Sequence, residues 1–305
     1  MAIDTQVRQQ ASNPNTPPEQ LRELATCEDV AIRQLVVANP NTPTEMLWEL
    51  GEEFPAQLLE NPLLPLLFLE NLNLIDEIPE QTLLRLFELD TLPDYLQQRL
   101  TQARPGGRLA IAENSNTSVR WLELLAQDPD LDVRGAIAAN PNTPIHLLEA
   151  LAQDSEPEVR RAIAVNPNTP IHLLKHLAPD PEPGVRRRIA ENPNTPVHIL
   201  ELLAQNTEFW VRQAIALNPN TPVYWLEHLA QDPEKWVRRT IALNANTPVY
   251  WLEHLAQDPE PDVRRAIALN PNTPVYWLKS LESDRDPDIR EAAEVKLKER
   301  FPELA

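Results

Sequence analysis

The sequence predicts an all-α protein, an α-solenoid (superhelix) of 26-residue repeats that each contain two helices. Three observations lead to this prediction. A short loop motif recurs at a constant spacing, the residues between its copies follow a helical apolar pattern, and 32 prolines accompany only 5 glycines. Since 42% of the residues are hydrophobic and recur at fixed places, the prolines indicate helix boundaries and not a disordered chain.

The loop motif is Asn-Pro-Asn-Thr-Pro or a close variant of it. Its nine copies begin at Asn13, Asn39, Asn114, Asn140, Asn166, Asn192, Asn218, Asn244 and Asn270. The first two copies are 26 residues apart, and the same step separates neighbouring copies from Asn114 onward. Self-similarity at a fixed period of this length is typical of repeat architectures. Repeat positions are counted below from the first asparagine of the motif.

The first helix of each repeat is predicted to begin where the loop ends. In the repeat from Asn218, Thr221 is expected to cap the helix and Pro222 to occupy its first position. The apolar stripe of this helix consists of Trp225, Leu226 and Leu229.

The second helix is predicted to begin at Asp232-Pro233, a further pair of a capping residue and a proline. Its apolar stripe consists of Val237, Ile241 and Ala242. Helices of about 8 to 10 residues are too short to be stable alone in water. They must therefore bury their stripes against neighbouring repeats, as in a solenoid.

Four segments follow from the spacing. They are N-terminal repeats in 1–50, degenerate leucine-rich helical units in 51–108, regular repeats in 109–282 and a C-terminal capping helix in 283–305. Segment 51–108 loses the loop motif, and a bend is expected near Gly106-Gly107, just before the register resumes at Arg108. The alternative interpretation of this segment is an inserted docking segment.

The repeat pattern Asp-Pro-Glu-Pro-x-Val-Arg-Arg-x-Ile-Ala-x-Asn-Pro-Asn-Thr-Pro-x-x-x-Leu-x-x-Leu-Ala resembles the leucine-rich repeat variant family. It is also similar to HEAT repeats with a shorter unit. The resemblance is best over 109–282 and good over 1–50. It implies an α-solenoid with a right-handed superhelical path, in which the second helix of each pair is short or 3₁₀-like. Some members carry an iron–sulfur domain with a cysteine cluster, which this sequence lacks, so that redox role is not implied here.

The charge and cysteine content exclude several classes of function. The chain carries 46 acidic and 27 basic residues, a net charge of −19, which argues against binding to nucleic acid or to an anionic membrane. The negative charge instead favours a protein partner with a basic patch. The single cysteine, Cys27, cannot form an internal disulfide or a cysteine-rich metal site.

Location and membrane association follow from the apolar segments. The start of the chain has no apolar signal core, and the apolar run Leu63–Leu69 is broken by Pro65. We therefore expect a soluble, cytoplasmic protein.

Histidines and tyrosines form a row along the predicted first helices. The histidines at positions seven and eleven are His146, His172, His198, His176, His228 and His254, and position seven later holds Tyr224, Tyr250 and Tyr276. Positions seven and eleven share one helix face, off the leucine stripe. This row is either a binding surface or an ordinary solvated face. Only His172 and His176 have ligand spacing on one helix, without a third ligand, so no metal site is predicted.

The tryptophans fall into two groups. Trp225, Trp251 and Trp277 share position eight with aliphatic residues and are predicted to belong to the core. Trp210 and Trp236 stand at position nineteen, where other repeats carry Glu, Gly or Asp. Together with Phe209 they predict an exposed contact patch, the alternative being packing against the adjacent helix. The candidate partner-binding residues are Phe209, Trp210, Trp236, Tyr224, Tyr250, Tyr276, His228 and His254.

An arginine recurs at position twenty-one, for example Arg134, Arg212 and Arg238. It is expected to bind a carboxylate or a loop carbonyl of a neighbouring repeat, the available acids being Asp154, Asp180, Asp232 and Asp258. An anion-binding row is the alternative. The additional arginines Arg161, Arg187, Arg239 and Arg265 are expected to be solvated, and the loop asparagines to serve as turn and cap residues.

No catalytic motif, phosphate-binding loop or dinucleotide fingerprint occurs in the sequence. No catalytic, cofactor-binding or metal-binding residue is therefore predicted, and the chain is expected to be a non-catalytic scaffold or adaptor for another protein. Two alternatives remain open: a lyase or chaperone-like factor that handles a chromophore or cofactor, and a self-assembling structural protein.

Overall fold

Short helices succeed one another in the computed structural model, which describes residues 2–71, 73–89, 92–100 and 105–302. In these residues the regular elements are α-helices and a 3₁₀ turn at Leu74–Asp76, with no strand. The chain forms two units, residues 1–166 and 167–305. Each is an α-solenoid stack of two-helix repeats.

The first unit contains thirteen α-helices in its described residues. They are α1 (Ala2–Ser12), α2 (Pro18–Ala25), α3 (Val30–Val37), α4 (Thr44–Glu53), α5 (Pro55–Glu60), α6 (Leu64–Glu70), α7 (Glu80–Phe87), α8 (Asp94–Leu100), α9 (Pro105–Glu113), α10 (Val119–Leu125), α11 (Leu131–Ala139), α12 (Ile145–Leu151) and α13 (Pro157–Val165).

The second unit contains ten α-helices in the part that the structure describes. They are α14 (Ile171–Leu177), α15 (Pro183–Glu191), α16 (Val197–Ala204), α17 (Phe209–Leu217), α18 (Val223–Leu229), α19 (Lys235–Leu243), α20 (Val249–Leu255), α21 (Pro261–Leu269), α22 (Val275–Leu281) and α23 (Pro287–Arg300).

The two helices of a repeat belong to two layers. In the second unit the second helices α15, α17, α19, α21 and α23 pack directly on one another in sequence. The first helices α16, α18 and α20 pack mainly between second helices, each against the two that flank it in the chain. The core lies between the layers and consists of the leucines of the first helix and a Val, Ile and Ala of the second, as in Leu226, Leu229, Val237, Ile241 and Ala242, which are all buried.

Both helices of a regular repeat are short α-helices, so of the two alternatives for the second helix, short or 3₁₀-like, only the 3₁₀-like one is wrong. The second helix is in fact the longer one, nine residues in α19 against seven in α18. The second helix is α-helical because of the spacing of its buried residues. Val237 and Ile241 are four positions apart, and an α-helix brings residues at this spacing to one side.

The predicted helix starts are displaced by one or two residues. Pro222 is the N-cap of α18 with an extended ψ of 151°, and Thr221 does not cap the helix. Instead, Thr221 Oγ1 donates a hydrogen bond to the Ile215 carbonyl at 2.6 Å, near the end of the preceding helix. The second helix begins at Lys235 rather than at Pro233, because Asp232 Oδ1 first accepts the Glu234 N–H in a turn.

Segment 51–108 keeps some of the structural features of the regular repeats. Asn61 takes the place of a loop asparagine: its Nδ2 donates to the carbonyls of Val37 and Asn39 at 2.7 and 2.9 Å. The step from Asn39 to Asn61 is therefore 22 residues, and α5, with six residues, is a shortened second helix. Gly106 and Gly107, where a bend is expected, lie inside α9 with negative φ.

The C-terminal helix α23 is the longest in the second unit among the described residues, with 14 residues. Asp286 caps it by accepting the Asp288 N–H. It buries Ile289, Ala293 and Leu297, while most of its other side chains are charged.

Candidate functional site

The candidate residues lie in both helix layers of the second unit. Phe209, Trp210 and Trp236 are on the second helices α17 and α19, whereas the tyrosines and histidines are on the first helices. The structure thus brings the two tryptophans to equivalent places on adjacent helices and separates them from the tyrosine–histidine row. The two groups are therefore two distinct candidate surfaces.

The arginine at position twenty-one joins successive repeats. Arg134 donates from Nε to Asp154 Oδ2 at 2.7 Å and from Nη2 to Asp154 Oδ1 at 3.1 Å, and its Nη1 reaches the Asp128 carbonyl at 2.8 Å. The same two-point geometry joins Arg108 to Asp128, Arg212 to Asp232, Arg238 to Asp258 and Arg264 to Asp284. The expected structural role is confirmed for these arginines, because their guanidinium groups are already bound within the protein.

The loop asparagines form a second set of links between repeats. Asn218 is buried, and its Nδ2 donates to the Ala190 and Asn192 carbonyls at 2.7 and 2.9 Å. Its Oδ1 accepts the Asn220 N–H at 2.9 Å. Asn140 and Asn270 bind the preceding repeat in the same way. The loop asparagines therefore satisfy backbone groups at the end of one repeat and the start of the next.

The tyrosines at position seven are about half exposed, but their hydroxyl groups have partners. Tyr224 donates to Glu201, and Tyr276 donates to Glu253, in each case the glutamate of the preceding repeat. Because the glutamate stabilises the protonated hydroxyl, the pKa of Tyr224 is raised above its usual value. The pKa of Tyr250 is raised by the same kind of hydrogen bond to Glu227. The tyrosine row thus carries inter-repeat hydrogen bonds along an acidic surface.

The first-helix tryptophans are less buried than predicted. At position eight Trp121, Leu147, Leu173 and Ile199 belong to the buried core, as predicted. Trp225, Trp251 and Trp277 are only half-buried, and the prediction that they are core residues is wrong to that extent. The Trp225 and His228 rings meet edge to face at a centroid distance of 5.2 Å, and His228 itself is exposed. A large indole at this position therefore extends from the core to the surface.

The exposed face of the second helices is apolar in the region of Trp210 and Trp236. These two side chains are 37% and 42% exposed, although an indole is normally covered. Position twenty-six, seven residues further along each helix, carries the exposed side chains Leu217, Leu243, Leu269 and Val295. Since residues seven apart lie on the same face of a helix, the two positions form one surface. We call Trp210, Leu217, Trp236, Leu243 and Leu269 the second-helix surface.

Local contacts hold the aromatic side chains of this surface in place. The rings of Phe209 and Trp210 meet edge to face at a centroid distance of 5.1 Å, and Phe209 is half-buried. The Lys235 Nζ lies 4.9 Å from the centre of the Trp236 ring and also 3.2 Å from the Asp262 carboxylate. Phe209 therefore serves mainly as a support for Trp210, and not as an exposed contact residue.

Arginines at position twenty-two lie between the two apolar rows. Arg239 and Arg265 line a groove of about 240 Å³ between α19 and α21, together with Asp262, Ala266 and Leu269. Within the described residues neither arginine has a carboxylate within ion-pair distance. By contrast, Arg187 at the same position is paired with Glu191 at 2.7 Å. The expectation that Arg161, Arg187, Arg239 and Arg265 are solvated holds for Arg187 and Arg265, which are exposed, whereas Arg161 and Arg239 are half-buried.

The leucines at position twenty-six and the groove arginines were not candidates from the sequence. The signal that could have identified Leu217 and Leu243 is their spacing of seven residues from Trp210 and Trp236. In the part of the chain that the structure describes, no group of three or more His, Cys, Asp or Glu side chains is arranged to hold a metal ion. Nor does any helix there have the length and apolar character required to span a membrane.

Comparison with known proteins agrees with the repeat architecture. A family model described as "Leucine Rich Repeat Variant domain" matches residues 134–191. A solved structure described as "A leucine-rich repeat variant with a novel repetitive protein structural motif" is similar at 26% identity and a TM-score of 0.52, covering 72% of this chain and 87% of that chain. No curated protein matches the sequence significantly.

A second solved structure, an engineered protein of the Northeast Structural Genomics Consortium, aligns over 96% of this chain and 93% of that chain. Its identity of 16% and TM-score of 0.32 are too low to support a structural argument. The matched domain, the first similar structure and the repeats described above show that the chain is a helical repeat protein that is similar to leucine-rich repeat variants.

Proposed function

We propose that this chain is a non-catalytic scaffold that binds another protein through the second-helix surface. The observation that carries the proposal is the exposure of Trp210 and Trp236 on adjacent helices, in line with the exposed leucines at position twenty-six. Contiguous exposed apolar side chains are typical of sites of macromolecular contact. Tryptophan is also among the residues that contribute most to binding energy at protein interfaces.

The tyrosine–histidine row is the weaker candidate surface. The hydroxyl groups of Tyr224 and Tyr276 are engaged with glutamates of the preceding repeat, so they are not free to bind a partner. Trp210 and Trp236, in contrast, stand where other repeats have a charged or small residue, so the repeat architecture does not require them. A side chain that the fold does not need and that faces solvent is a better candidate for a binding residue.

The proposal is tested by affinity capture from the native cell with the full chain as bait. Wild type, the double variant W210A/W236A and the triple variant Y224A/Y250A/Y276A are compared after thermal melting has established that each is folded. We expect a partner recovered with the wild type and the tyrosine variant to be lost with the tryptophan variant. Equal recovery with the tryptophan variant contradicts the proposal.

A further inference from the structure

The charge on the second-helix surface differs from the charge of the whole chain. The protein has a net charge of −19, yet the groove between α19 and α21 contains two arginines without an ion-pair partner in the described residues. The acidic group in this groove, Asp262, already interacts with Lys235 at 3.2 Å. The net charge of the side chains that line this groove is therefore positive.

Arg239 and Arg265 occupy the same position on adjacent helices. Since packed helices have axes about 8–10 Å apart, the backbone segments that carry the two arginines are spaced by roughly that distance, and both side chains line the same groove. The groove also carries Leu269, and Trp236 and Leu243 belong to the helix on its other side. Two cationic groups thus lie between apolar side chains on one exposed face.

The basic region has a limit at the end of the second unit. The next groove, between α21 and α23, has a volume of about 390 Å³ and is lined by Arg265 and Leu269 but also by Asp288, Glu291 and Glu299. Lys296 in that groove is paired with Glu299 at 2.8 Å. A ligand that binds the positive region is therefore expected to extend from α21 toward α19 and α17, where the tryptophans lie.

We infer that the partner presents a peptide segment that combines carboxylate side chains with aromatic or aliphatic ones. Its carboxylates bind Arg239 and Arg265, since a guanidinium group matches a carboxylate with two parallel hydrogen bonds. Its apolar side chains cover Trp210, Trp236 and Leu243. This inference rests on the proposed function and adds the chemistry of the partner. It differs from the expectation of a basic partner, which follows from the net charge alone.

Selection from a display library of random peptides tests the inference without knowledge of the partner. The full-length wild type, W210A/W236A, R239Q/R265Q and a control variant, R120Q, are each used as bait. Arg120 is an exposed arginine on the first helix α10, so R120Q removes one surface charge away from the second-helix surface. Thermal melting establishes that each variant is folded, and R265Q alone replaces the double variant if that variant is unstable.

We expect the peptides that bind wild type and R120Q, but not W210A/W236A, to be enriched in both acidic and apolar residues. For a representative peptide, R239Q/R265Q is expected to weaken binding about fivefold or more, with an increase in salt reducing the difference. Tryptophan-dependent peptides that are basic, or whose affinity is unchanged in R239Q/R265Q, overturn this inference but leave the proposed function in place. Failure to enrich any tryptophan-dependent peptide overturns the proposed function itself.

Discussion

Arg186 faces Asn206, whereas an aspartate binds the equivalent arginines Arg108, Arg134, Arg212, Arg238 and Arg264. Its Nη2 lies 3.5 Å from Asn206 Oδ1, at the limit of a hydrogen bond, and its Nε is buried without a partner. In the following repeat Arg212 binds Asp232 through both Nε and Nη2, at 2.6 and 2.9 Å. One link in this row of the second unit is therefore incomplete.

We predict that Asn206→Asp stabilises the protein by completing this link. The new carboxylate can accept hydrogen bonds from both Nε and Nη2 of Arg186, as Asp232 does from Arg212. Because a partly buried hydrogen bond to a charged group stabilises modestly after desolvation, the expected gain is about 1 kcal/mol in the free energy of unfolding. Urea denaturation measures it. Asp232→Asn is the matched control and should destabilise by a similar amount or more; a neutral or negative effect of Asn206→Asp refutes the prediction.

Acid should weaken the links between repeats. The hydrogen bonds from Arg134 and Arg264 hold the pKa values of Asp154 and Asp284 below the usual aspartate value. A carboxyl group whose pKa is lower in the folded state stabilises that state above the unfolded pKa, about 3.9. This stabilisation is lost as the pH falls through the lower, folded value.

We therefore predict that the free energy of unfolding decreases more steeply with acidification in wild type than in D154N/D284N. The difference should appear below about pH 5, and urea denaturation at a series of pH values measures it. Asp132 is exposed, and D132N serves as the control. In this variant the free energy of unfolding should decrease with acidification as steeply as in wild type. Identical slopes in wild type and D154N/D284N would show that these pairs do not govern the acid response.

Loss of a loop asparagine should destabilise strongly. Asn218→Ala leaves the carbonyls of Ala190 and Asn192 and the N–H of Asn220 without their partner at a buried site. We expect a loss of about 3 kcal/mol, because each unsatisfied buried group costs about 1–3 kcal/mol. Asn220→Ala removes an exposed side chain of the same type and should cost about 1 kcal/mol or less. Comparable losses in the two variants would contradict the role given to the buried asparagines.

Trp236 should contribute little to stability despite its size. It is 42% exposed, so Trp236→Ala is expected to lower the free energy of unfolding by about 1 kcal/mol or less. Leu229, at 1% exposure, is the comparison: Leu229→Ala leaves a cavity in the core and should cost about 2–5 kcal/mol. Denaturation of both variants tests the claim, and a large loss in Trp236→Ala would indicate that this indole is needed for packing.

The periodic features of the fold could be predicted from the sequence. The 26-residue step gives the two-helix repeats, and the pairing of Arg134 with Asp154 follows from an acid and a base that recur together. The helix starts could not be predicted as well. A Thr-Pro pair is compatible with a cap at either residue, and here the Thr221 hydroxyl binds the preceding helix instead.

The irregular features of the fold and the exposure of the candidate residues could be established only from the structure. The loop at Asn61 keeps the first asparagine and both prolines of the motif but has leucines in place of its second asparagine and its threonine, so the 22-residue step is not visible as a repeat. An apolar residue at position nineteen suits either a helix contact or a surface. Only the packing of α17 on α19 places Trp210 and Trp236 on the exposed face.

The most direct test of the proposed binding surface is the dissociation constant of the captured partner for wild type, W210A/W236A and Y224A/Y250A/Y276A. Since tryptophans at the centre of an interface each contribute on the order of 2 kcal/mol, we expect binding to W210A/W236A to be at least about tenfold weaker than to wild type. Binding to the tyrosine variant should stay within about twofold of wild type, a difference below 1 kcal/mol. Unchanged affinity in W210A/W236A together with a loss in the tyrosine variant would place the binding site on the first helices and contradict the proposal.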